Sequence, residues 1–262
     1  MSYLICTPVV GDTLIQFLDN LKTTQTQSDF IELRIDFIQD LNMSDLICDL
    51  NQIKAKITKK TIFTCRANWE GGYWNGTEEN RLKILQWSLN AGFDYVDIEV
   101  KTVQKHSKPI LNPKNKVKKK KNQELDKEQE KLYPSPPLTL DLNLKKPETK
   151  LILSYHNFQK TDNYRKLRKT QKMMQGYNCD ICKFACTITK SEDNIILTQL
   201  LVNKKKSDQL IVLGMGKNSS FMRINTVILG GYLTFGTVND QVSASGQMSL
   251  TELQIALADR SF

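Results

Sequence analysis

Eight short strand-like runs, at 3–7, 30–37, 61–66, 95–100, 150–156, 181–187, 210–215 and 232–236, recur along the 262 residues. Amphipathic helical patterns fall between most of them, at 13–22, 44–57, 78–90, 162–175, 192–204 and 219–229, with a last one at 249–258. Several open on a capping residue, such as Thr77 before Glu78-Glu79 and Ser191 before Glu192-Asp193. Parallel strands need helical crossovers, and eight strand-helix units close into a (β/α)8 TIM barrel. A doubly wound open sheet would carry a glycine-rich phosphate loop after its first strand. The chain there reads Pro8-Val9-Val10-Gly11-Asp12, with no G-x-G-x-x-G. We therefore expect an α/β fold, one (β/α)8 domain over 1–262.

One crossover departs from the pattern. Strands four and five are about fifty residues apart, and the intervening chain holds Lys118-Lys119-Lys120-Lys121 and Pro134-Ser135-Pro136-Pro137. Repelling charge and prolines oppose a packed core, so 101–149 reads as a lysine-rich, partly disordered insertion, with a short helix around 124–132. It also explains the formal charge of +9. Residues 101–150 hold 14 lysines against 6 acidic residues, a surplus of 8, leaving +1 for the rest. Nucleic acid is therefore not expected as a partner.

No apolar run reaches the roughly 18 to 20 residues of a membrane span, and the opening Met1-Ser2-Tyr3-Leu4-Ile5 lacks a secretory signal, so the expected location is cytoplasmic. The cysteines mostly occupy apolar element positions rather than loops, as reduced residues do. Cys179, Cys182 and Cys186 have a C-x2-C-x3-C spacing, but no second Cys or His pair completes a metal site. No metal is expected.

Barrel active sites form at the C-terminal ends of the strands. Strand six carries Lys183 within Asp180-Ile181-Cys182-Lys183-Phe184-Ala185-Cys186, an apolar run in which an amine readily loses its charge and becomes a carbonyl nucleophile. Strand five ends Ser154-Tyr155-His156. The other histidine, His106, falls in the insertion, so histidine chemistry rests on His156. On strand two, alternation puts Glu32, Arg34 and Asp36 on one face, where three charges are costly unless paired or used. Strand three delivers Arg66, a clamp for carboxylate or hydroxyls, and Glu70 on the following Gly71-Gly72 loop can reach back into the mouth. Gly214 and Gly216 permit a tight turn that presents Arg223 near the mouth. The loop Ser243-Ala244-Ser245-Gly246-Gln247 offers a hydroxyl, an amide and backbone N–H groups suited to an anion.

Five stretches in order, Glu32-Leu33-Arg34-Ile35-Asp36, Thr64-Cys65-Arg66 with Glu70-Gly71-Gly72, Ser154-Tyr155-His156-Asn157-Phe158, Cys182-Lys183-Phe184-Ala185 and Ser243-Ala244-Ser245-Gly246-Gln247, resemble the type I 3-dehydroquinate dehydratase family. The resemblance covers nearly all of the chain outside the insertion. It implies a cofactor-free dehydration of 3-dehydroquinate to 3-dehydroshikimate by an enzyme of the shikimate pathway, commonly a homodimer. It further implies that Lys183 forms the imine, that His156 moves protons and that Glu70 orients His156. By the same resemblance Glu32, Arg34 and Arg66 hold the substrate's hydroxyls, and Arg223, Ser243 and Gln247 surround its carboxylate. Where the family often has proline in the last motif and aspartate after the histidine, this chain has Ser245 and Asn157.

Two other readings start from the same residues. A Schiff-base aldolase of similar form would carry a phosphate site after strands seven and eight, whereas Arg223, Ser243 and Gln247 suit a carboxylate better. A binding protein would instead use the lysine-rich insertion on nucleic acid or an anionic membrane.

Overall fold

A computed structural model describes residues 3–42, 44–107, 139–238 and 246–258. The helix expected around 124–132 and most of the insertion lie outside them. Eight parallel strands follow one another around the sheet: β1 (Ile5–Val9), β2 (Phe30–Arg34), β3 (Lys60–Thr64), β4 (Tyr95–Glu99), β5 (Lys150–Asn157), β6 (Ile181–Thr187), β7 (Leu210–Met215) and β8 (Thr234–Thr237). β1 pairs with both β2 and β8. The remaining seam, between β7 and β8, is bridged by the Tyr232 N–H, which donates to the Leu210 carbonyl at 2.7 Å. The result is a TIM barrel.

The helices are α1 (Leu14–Gln27), α2 (Leu46–Ala55), α3 (Glu78–Ala91), α4 (Val100–His106), α5 (Tyr164–Gly176), α6 (Ser191–Val202), α7 (Ser220–Ile228) and α8 (Leu250–Ala258). Helix starts follow capping chemistry at Thr13, Thr77 and Asn163, whose side chains each accept a backbone N–H from the first turn. Ser191 does not cap α6 as expected. It is the first helical residue, and the Asp193 carboxylate accepts the N–H of Lys190 ahead of it.

Strand alternation divides the core in two. One buried cluster takes Cys6, Phe30, Ile62, Tyr95, Ile152, Ile181, Ile211 and Phe235, one from each strand, and fills the barrel. The other takes outward residues such as Leu33, Phe63, Ile98, Leu153, Phe184 and Val212 and packs them under the helices. Polar side chains follow the inward apolar ones along β2 to β6, so the barrel is plugged below and charged towards its mouth.

Three sequence expectations shift. Residues 101–106 belong to α4 and so do not begin the insertion. A two-residue strand, β9 (Met248–Ser249), pairs with β8 beyond the eight expected. β2 ends at Arg34 rather than at residue 37, because Asp36 sits in a tight turn over Ile35–Phe37 and pairs back onto Arg34.

Candidate active site

Along β6, Cys182, Phe184 and Cys186 enter the outer core while Ile181 and Ala185 enter the barrel. Lys183, between them, therefore points inward, and its side chain is only 6 % exposed. The amine does not sit in the apolar setting expected from its run, because Cys182, Phe184 and Cys186 face the other way and charged groups of neighbouring strands meet it. Nζ lies 2.8 Å from Asp97 Oδ2 and 3.3 Å from Glu32 Oε1, and 4.6 Å from the centre of the Phe235 ring. Glu32 Oε1 is held in turn by the Thr64 hydroxyl at 2.9 Å.

Asp97 joins the amine to a buried cationic network. Its Oδ1 accepts from the Ser154 hydroxyl at 2.6 Å and from Arg66 Nη2 at 2.9 Å. Burial alone would raise the Asp97 pKa, but Arg66 and Lys183 outweigh it and hold the carboxyl well below its usual range. Arg66 Nη1 donates to Ser154 Oγ at 2.8 Å and to Glu99 Oε1 at 2.9 Å, while Glu99 Oε2 accepts from the wholly buried Arg81 at 2.8 Å. Buried charges survive only when so compensated. Glu99 is likewise depressed by Arg66 and Arg81 against the opposing effect of burial.

His156 follows Ser154 on the inward face of β5, and the register sets Ser154 beside Lys183 and His156 beside Ala185. Nδ1 lies 3.1 Å from Glu70 Oε2. Glu70 arrives on a short 3-10 turn, Asn68–Glu70, ended by Gly71 at φ +72°. A Cβ there would lie 2.1 Å from the Phe158 ring, which stacks on His156 at 6.1 Å, so glycine serves both the turn and the close approach. Burial pushes the Glu70 carboxyl up to about 8, with Arg66 and Lys101 opposing and Glu99 and Asp97 adding. Burial, then Arg66 and Lys183, push the His156 imidazole well below its usual value. Both directions oppose a separated carboxylate–imidazolium pair.

On the far side, α7 brings Arg223, 2 % exposed, with Nε 3.4 Å from the Ser219 hydroxyl. Burial lowers its pKa to about 10. A cavity of about 530 Å³, counting its open mouth, is lined by Glu32, Arg34, Arg66, Glu70, His156 and Lys183 on one side and Leu213, Met215, Arg223, Phe235 and Gln247 on the other. Arg34 makes a two-point contact with Asp36, at 3.0 Å and 2.7 Å.

The structure thus brings eight of the nine sequence-nominated residues to one cavity; the ninth, Ser243, lies outside the described residues. The sequence reading missed Asp97, Ser154, Glu99 and Arg81. The first three were within reach of the alternation applied to strand two, since Asp97 and Glu99 follow the inward Tyr95 at two-residue steps. Asn157, in the position of the family's aspartate, shapes the local turn: its amide donates to Asp162, and its Oδ1 accepts the N–H groups of Gln159 and Lys160.

A parallel barrel holding a buried lysine and an imidazole in one cavity at its C-terminal mouth belongs to the class of Schiff-base-competent barrels. A family profile described as type I 3-dehydroquinase matches residues 5–121 and 138–261. A 3-dehydroquinate dehydratase of Coxiella burnetii is 34% identical over 95% of this chain and 90% of its own length. One from Methanocaldococcus jannaschii is 30% identical over 96% of each. Among solved structures, the Geobacillus kaustophilus 3-dehydroquinate dehydratase superposes with a TM-score of 0.76 at 21% identity, covering 99% of this chain and 91% of that one. This chain belongs to the type I 3-dehydroquinase family.

Proposed function

We infer that the chain is a 3-dehydroquinate dehydratase, a hydro-lyase that converts 3-dehydroquinate to 3-dehydroshikimate and water in the shikimate pathway. The observation that carries the reading is the placement of Lys183 and His156 on adjacent strands and in one cavity. The Lys183 amine condenses with the ring ketone and expels water. The iminium so formed keeps its positive charge beside Asp97 and Glu32, the carboxylates that already face the amine, and it acidifies the neighbouring C–H. Neutral His156 takes that proton. As imidazolium it returns the proton to the departing hydroxyl, so one residue serves both halves of the elimination. Hydrolysis of the imine releases product and regenerates the amine.

Glu70 holds His156 by Nδ1. Glu32, Arg34 and Arg66 line the side of the cavity that would meet the substrate's hydroxyls, and Arg223 with Gln247 the side that would meet its carboxylate. Ser243 joins the carboxylate group on the strength of the family resemblance. The same resemblance supports a homodimer, testable by light scattering, and the expected cytoplasmic location is testable by cell fractionation. Among the described residues no helix is long and apolar enough to cross a membrane.

The direct test is incubation with 3-dehydroquinate while following absorbance of the conjugated enone product, before and after treatment with a chelator. Absorbance should rise at the same rate in both samples. A flat trace from folded protein would overturn the assignment, and a rate abolished by the chelator would overturn the metal-free mechanism.

A further inference from the structure

Glu70 has two carboxylate oxygens in different circumstances. Oε2 meets His156, whereas Oε1 is buried and, among the described residues, makes no hydrogen bond. The ammonium of Lys101 lies 3.6 Å from that Oε1. Lys101 sits in the first turn of α4, two residues beyond Glu99, and the turn is fixed by the Thr102 hydroxyl, which donates to Glu99 at 2.9 Å. Its side chain is half exposed, and its Nζ rests 5.5 Å from the centre of the Trp69 ring, on the residue just before Glu70.

The charged groups facing Glu70 come from four elements: Arg66 from the end of β3, Asp97 and Glu99 from β4, Lys101 from α4 and His156 from β5. The two acids of β4 work against a third negative charge. Arg66 works for it, but its guanidinium is already shared between Asp97 and Glu99 at 2.9 Å each.

We propose that Lys101 is a positioning residue of the proton-transfer pair, its ammonium drawing Glu70 towards the carboxylate form, in which His156 holds its hydrogen on Nδ1 and its lone pair on Nε2. With Glu70 ionised, Nδ1–H donates to Oε2 and Nε2 is the base. Once Glu70 takes up a proton the direction reverses: the carboxyl donates to Nδ1, the imidazole hydrogen moves to Nε2, and the base is lost. A cation beside Oε1 sets the pH at which this happens. The inference rests on the roles of Glu70 and His156 proposed above.

The test compares pH profiles of kcat for the full-length enzyme with Lys101→Met, Lys101→Arg and Lys101→Glu, alongside KM and thermal midpoints. Lys101→Met should move the acid limb up by about half a pH unit, as suits a half-exposed ion pair. Lys101→Glu should move it further and Lys101→Arg should restore it. The shift should shrink in high salt, and KM and the thermal midpoint should stay near the wild-type values. Superimposable profiles, or a change confined to KM or the thermal midpoint, would overturn the proposal. Glu70→Gln separates the two layers of the argument. If it lowers kcat and abolishes the limb while Lys101→Met shifts nothing, only the role of Lys101 is lost. If Glu70→Gln leaves rate and limb intact, the reading of Glu70 and His156 fails with it.

Discussion

The two sides of the barrel mouth are built on different principles. From β2 to β6 the side chains are charged and satisfy one another: Lys183 with Asp97 and Glu32, Arg66 with Asp97 and Glu99, Arg81 with Glu99, Arg34 with Asp36, His156 with Glu70. Towards β7 and β8 the wall is largely apolar, with Leu213, Met215 and Phe235, and its cation is Arg223, whose burial lowers its pKa to about 10. A self-compensated network fixes geometry before any ligand arrives, which is what covalent and proton-transfer steps require. A guanidinium set in a largely apolar wall offers a charge-assisted contact to an entering anion. Under the proposed function the first side carries the chemistry and the second the capture.

Substitutions should divide along that line. The largest effect should come from the chemical side. His156→Ala should lower kcat by about 10² to 10⁴ while imine formation persists, as rapid-quench mass spectrometry can show. Unchanged turnover would place the proton shuttle elsewhere. On the capture side, Arg223→Ala should act on KM, raising it roughly ten- to a hundred-fold for a lost charge-assisted contact of about 1.5–3 kcal/mol. A fall in kcat at constant KM would erase the distinction between the two sides. Gln247→Ala should have the smallest effect, a rise in KM of about two- to ten-fold for a neutral hydrogen bond. An effect equal to that of Arg223→Ala would mean that the amide rather than the guanidinium anchors the substrate.

Much of this was legible in the sequence because a barrel strand is short and its alternation strict. Glu32 and Arg34, two residues apart, share a face, and Lys183 among apolar neighbours announces a side chain that must point somewhere special. What the sequence could not convey was the company of that amine. Its partners come from β2 and β4, and Asp97 is 86 residues away in the chain. Arg81 was hidden for a different reason. On α3 it reads as one more charged helix residue, yet it is buried completely by reaching Cys65, Glu99 and Thr102 beneath the helix. The first turns of α4 were lost to composition, since Lys101 and Lys105 blend into the lysine-rich stretch that follows.

The division of labour stands or falls on the amine at the centre of the charged side. Borohydride added during incubation with 3-dehydroquinate should fix one reduced ligand per chain, and peptide mapping should place it on Lys183, with Lys183→Ala losing both adduct and turnover. An active wild-type enzyme that traps no adduct, or a Lys183→Ala enzyme that still traps one and turns over, would contradict the account.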